Sequence, residues 1–129
     1  MDRVPISIRL LHTPMSITPR ALVIASTIGT VLQTAMVVAG HSNRSIARLF
    51  AVGGMSLSLI AGVIYAVLAR GGTTGSAIVG GVLAGAICAL IGIAVSYFLK
   101  DVPASLLALG TLSSAVTGAI GGWLGSVFA

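Results

Sequence analysis

From position 21 onward the chain alternates long uncharged apolar blocks with short polar joints. The blocks cover 21–39, 49–69, 75–99 and 104–129, and no Asp, Glu, Lys, Arg or His falls inside any of them. A helix rises about 1.5 Å per residue, so roughly 20 apolar residues cross a hydrocarbon core about 30 Å thick. Each block meets that length. The pattern predicts an all-α polytopic membrane protein with four transmembrane helices, spanning about 20–40, 46–69, 75–99 and 103–128. The short joints make consecutive helices antiparallel neighbours in an up-down bundle.

The joints supply the stops and starts. Proline is welcome in a first helical turn, so Pro19 opens the first helix, which closes near Gly40. His41-Ser42-Asn43-Arg44 is expected to be a tight polar turn, with the second helix running unbroken from near Ser45 to Arg70. Gly71-Gly72-Thr73-Thr74-Gly75 forms the next turn, and Tyr97 and Phe98 end the third helix where aromatic rings favour the membrane interface. In Lys100-Asp101-Val102-Pro103 the lysine is expected on a helix C-terminus, the aspartate as cap of the next helix and the proline just inside it. Residues 1–19, with Pro5, Pro14 and Pro19, are read as an interfacial or flexible tail. Met15 is an alternative start, and a short transit peptide is the competing reading of the tail.

Within the apolar blocks small residues recur at every fourth position. The rows are Gly54, Ser58, Gly62, Ala66; Ala77, Gly81, Gly85, Ala89; and Gly110, Ser114, Gly118, Gly122, Ser126, with Gly92 and Ser96 on a neighbouring face of the third helix. Lipid tails supply no hydrophobic force between helices, so association rests on close backbone approach, which such rows permit. These are the expected helix-packing residues. A shift of 56 positions, as from Gly54 to Gly110, superposes several of them and suggests a tandem two-helix repeat with a parallel relation between its halves.

Composition agrees: hydrophobic residues make up 57%, charged residues 7%, and mean hydropathy is +1.13. Soluble domains carry about 25% charged residues. Net charge is +5, but the basic residues are dispersed at block ends without interleaved aromatics. They suit anionic headgroups rather than nucleic acid. Arg44, Arg48, Arg70 and Lys100 are the candidate headgroup contacts. Arg3, Arg9, Arg20 and Arg70 share one side of the membrane, and Arg44, Arg48 and Lys100 the other, which leans toward cytoplasmic termini.

Chemistry at depth requires acids, bases, nucleophiles or metal ligands, and the spans hold none that is charged. No catalytic residue, metal site or cofactor is expected. His12, His41 and Cys88 have no metal-ligand spacing, and Cys88 reads as a small buried hydrophobe. Size and span number match the small multidrug exporters, but the membrane glutamate of that family is missing, which speaks against a drug/proton antiporter. Thr27, Thr30, Gln33 and Thr34 are expected to form one polar face of the first helix. A glutamine at mid-span is costly against lipid, so that face should meet a helix, a polar path or a second copy. Tyr65 and Trp123 read as interface anchors.

The segments Ala69-Arg70-Gly71-Gly72, Gly81-Val82-Leu83-Ala84-Gly85 and Gly118-Ala119-Ile120-Gly121-Gly122-Trp123-Leu124-Gly125 resemble uncharacterised bacterial and archaeal families of small glycine-rich four-helix membrane proteins. The repeated small-residue spacing is also similar to the mitochondrial inner-membrane translocase family, but the Arg-then-Asp signature of that family is missing, and its function is not carried over. The expectation is a non-enzymatic structural or assembly subunit of a prokaryotic inner membrane, partnered by lipids and by itself or another membrane protein. The alternative is a pore, carrier or holin-like permeabilising protein that uses the polar face of the first helix.

Overall fold

The computed structural model describes residues 15–129; the expected tail through residue 14, with Arg3, Arg9 and His12, lies outside them. Among the described residues five helices follow in order: α1 Pro19–Ser42, α2 Arg44–Ala47, α3 Phe50–Leu68, α4 Thr74–Phe98 and α5 Ser105–Phe128. All except α2 are long and apolar enough to cross a membrane. The four long helices form one bundle, with α3 and α4 as its short diagonal and α1 and α5 at the far corners. Gly29 meets Cys88, and Gly92 meets Gln33, so α1 and α4 are parallel neighbours. Gly121 lies on Leu59 and Gly125 on Val63, so α3 and α5 are parallel too. The two hairpins a duplication would give are packed unequally, because the α3–α4 contact has no comparable counterpart between α1 and α5.

The inside of the bundle is small and its outside is large. Its buried hydrophobic residues are mostly alanines, with Val37, Tyr65 and Cys88, whereas Val52, Leu112 and Val127 are each more than 60% exposed. A water-soluble bundle reverses that distribution. In a bilayer it is the expected arrangement, since large apolar side chains match lipid and small ones bring backbones together. The protein is a multi-pass membrane protein.

The joints depart from expectation in two places. The second helix is broken. Asn43 caps the short α2 by accepting a hydrogen bond from Ser45 N–H at 2.9 Å, and Leu49 N–H donates to Ile46 O, closing a tight turn before α3 begins at Phe50. The reason is amphipathicity: Arg44 and Arg48 stay exposed, while Phe50 turns inward onto Gly40. The second departure is Asp101, which does not cap α5. That helix starts after Ala104 without a side-chain cap, so Pro103, expected just inside it, lies before its first turn. Instead Lys100 adopts φ 63°, its N–H donates to Tyr97 O, and Asp101 N–H donates to Ser96 O. This double bond pattern closes α4, with lysine where glycine is usual.

The strict four-residue rows also need refinement. Steps of four exceed a 3.6-residue turn, so a row drifts about 40° around the helix at each step. On α5 the buried stripe is therefore Ser114, Gly118, Gly121, Gly122 and Gly125, while Gly110 and Ser126 sit at its margins. Gly121 and Gly125 were not among the residues expected from the rows.

Candidate functional site

The expected packing residues occupy helix contacts. Gly62, Gly81, Gly85, Gly118 and Gly122 lie against neighbouring backbone, Ser58 and Ser114 are buried, Gly54 faces Gln33, and Gly110 faces Ile93. On α4 the same economy produces a second face: Gly80 receives the ring of Tyr65, and Gly92 receives the aliphatic stem of Gln33. Tyr65 is thus no interface anchor. It is fully buried, and its hydroxyl accepts a hydrogen bond from Thr18 N–H at 3.1 Å, tying α3 to the start of α1. Trp123 is half exposed on the outer surface.

The polar row of α1 divides. Gln33 is buried at 3% exposure, Thr30 and Thr34 are half-buried at its flank, and Thr27 faces outward. Gln33 stands about two turns before Gly40 and projects between α3 and α4. A methyl on Gly92 would come within 2.5 Å of its Cγ, and one on Gly54 within 3.2 Å of its Nε2. Glycine at 92 leaves room for its stem, whereas at 54 the amide would have to give by only a few tenths of an ångström.

Beyond Gln33, toward the joints that hold His41 and Asp101, the four long helices enclose a cleft of about 190 Å³. Met36, Phe50, Met55, Ile93 and Leu106 give it a mainly apolar wall, and Gln33, Ser96, Ser113 and Ser114 supply the polar groups. Among the described residues four buried side-chain oxygens have no hydrogen-bond partner, Ser26 Oγ, Gln33 Oε1, Ser96 Oγ and Thr111 Oγ1, and of these Gln33 and Ser96 belong to residues that line the cleft. Such groups are rare in folded proteins and each costs about 1–3 kcal/mol when left unpaired. Below the glutamine the interior is filled: Ser58 Oγ lies 3.7 Å from Cys88 Sγ, and a methyl on Gly29 would come within 3.0 Å of Cys88 Cβ. Cys88 is buried, as expected for a small hydrophobe.

The exposed residues of the cleft wall, Ala51, Met55, Leu106, Leu109 and Ser113, belong to α3 and α5. The cleft therefore opens sideways between these two helices. Their glycine contacts lie in the other half, where Gly62 meets Gly118 and Gly125 meets Val63. In the cleft half α5 carries Leu106, Leu109 and Leu112 instead, and no glycine there draws it onto α3.

At the joint end His41 Nδ1–H donates to both carboxylate oxygens of Asp101, at 2.9 and 3.0 Å. The contact links the end of α1 to the α4–α5 joint, whose Val102 lines the cleft. Arg44, Arg48 and Lys100 are exposed at this end and Arg70 at the other. Because the imidazole is 48% exposed, the pair is in the class worth about 0–1 kcal/mol. Asp101→Asn is expected to lower stability by no more than about 1 kcal/mol, measured by denaturant titration of ellipticity in mixed micelles.

Sequence reasoning turned Gln33 away from lipid, toward a helix, a polar path or a second copy, but missed the cleft. Its lining of Met, Leu, Ile and Phe is indistinguishable in sequence from lipid-facing residues. The usable signal was Gly92 followed by Ser96, which places a notch and a hydroxyl on one face of α4. The chain matches no protein-family model, no curated protein and no solved structure.

Proposed function

We propose that this is a non-enzymatic membrane protein that binds a small uncharged molecule in the cleft, acting as a carrier or receptor rather than as an open pore. The observation that carries this reading is the pair of buried oxygens without a hydrogen-bond partner, Gln33 Oε1 and Ser96 Oγ, on two residues that line a mainly apolar cleft. A charged ligand would need a countercharge at depth, and the spans offer none. The closed packing around Cys88 favours a binding cleft over a continuous aqueous path. Assembly through the small-residue rows is less well supported, because those rows are occupied by the chain's own helices.

The test is native mass spectrometry of the protein released from mild detergent. The wild type is expected to retain a small uncharged adduct that Ala51→Trp, which places a bulky ring at the opening, removes while ellipticity is kept. An adduct-free wild type whose vesicles leak a size-graded series of solutes would favour the pore reading instead.

A further inference from the structure

We infer that the cleft takes a single-chain neutral amphiphile from the bilayer, with a hydroxyl head seated between Gln33 and Ser96 and its chain leaving between α3 and α5. This deepens the proposed binding role and rests on it.

The head is specified by the groups that lack partners. Gln33 Oε1 can only accept, so the ligand must offer a donor. Ser96, one turn beyond Gly92 on α4, carries a hydroxyl that can donate back to the same head group. One alcohol O–H does both, donating to Gln33 and accepting from Ser96. A carboxylate would leave Gln33 Oε1 unpaired, and neither it nor an ammonium finds a countercharge in the spans.

The body is specified by shape and lining. A cavity of about 150 Å³ lined by apolar side chains stays dry and holds a benzene-sized ligand. This cleft of about 190 Å³ is of that order and somewhat larger, and most of its wall is apolar. Water alone, at about 30 Å³ a molecule, would need two to four polar partners each, more than the wall provides. Its sideways opening past Met55 and Leu109, which are 40% and 63% exposed, leads to the lipid phase rather than to bulk water. The start of an alkyl chain would occupy the cleft and the rest would continue outward.

The experiment is photolabelling of the full-length protein in lipid nanodiscs with an eight-carbon alcohol carrying a diazirine in its chain. The matching diazirine alkane, without the hydroxyl, runs in parallel. Labelled residues are mapped by peptide mass spectrometry. The alcohol is expected to label Met36, Met55 or Leu106, to be displaced by unlabelled octanol, and to lose about fivefold in labelling in Ser96→Ala, a substitution small enough to leave the fold in place. Gln33→Leu should lose at least as much, and the alkane should respond to neither change. Equal labelling by alcohol and alkane, unaffected by Ser96→Ala, would leave a binding cleft but overturn the hydroxyl assignment. No displaceable labelling of the cleft by either probe would overturn the assignment and the binding role together.

Discussion

Gly118→Ala is expected to destabilise the bundle by about 3 kcal/mol or more, and Gly118→Leu to prevent recovery of folded protein. The sign is informative because intrinsic preference runs the other way: alanine is favoured over glycine in a helix interior by about 1 kcal/mol. What reverses it is the position. A methyl on Gly118 would overlap the carbonyl oxygen of Gly81 and come within 3.0 Å of Gly85 Cα. Both obstacles are backbone, so relief requires α4 and α5 to move apart. The same residue also presents its own carbonyl to Gly62 and Gly81, so three helices meet at this point. Inserting one methylene into a close-packed interior costs about 1–3 kcal/mol when side chains can adjust, and here they cannot.

The measurement is a denaturant titration of ellipticity in mixed micelles, with two reference substitutions. Gly75→Ala has its nearest neighbour at 3.5 Å and should change stability by no more than about 0.5 kcal/mol. Gly110→Ala meets the end of the Ile93 side chain, which can rotate away, and should fall between the two. A Gly118→Ala protein as stable as the wild type would show that α4 and α5 are not in backbone contact, and the small-residue core would have to be abandoned.

The features legible in the sequence are those that the bilayer imposes on each helix separately. Four charge-free blocks had to become spans, Pro19 had to sit in a first turn, and four-spaced glycines had to mark close approach. The features that were not legible depend on partners distant in the chain. Arg48 and Leu49 carry no breaker, and the turn between α2 and α3 exists because Phe50 finds Gly40. Asp101 looked like a cap because its partner, His41, is 60 positions away. The cleft was hidden for a more general reason. In water, hydrophobicity separates inside from outside, whereas in lipid Met55 or Leu109 can face either way at similar cost. Gln33 escaped that ambiguity because a polar amide is distinguishable from lipid, and it remains the surest guide from sequence to site.

Tyr65→Ala is the second substitution expected to have a large effect, about 3–5 kcal/mol, as for other buried aromatic truncations. Tyr65 is the largest fully buried side chain. Its ring fills a notch that exists only because residue 80 is glycine: a methyl there would overlap Cε1 and Cζ of the ring. Tyr65→Phe separates the two contributions, since it keeps the ring and removes only the acceptor for Thr18 N–H, at an expected cost of about 1 kcal/mol. The notch argument makes a stronger demand on the pair. Gly80→Ala alone should destabilise by overpacking against a ring that has nowhere to go, yet in a Tyr65→Ala background the same methyl enters the vacated space and should be neutral or stabilising. A double-mutant cycle is therefore expected to give a coupling of about 2 kcal/mol, near the upper part of the range for residues in contact. Additive effects would mean that the ring does not occupy the Gly80 notch, and that α3 and α4 meet differently from the arrangement that leaves the cleft open at their other end.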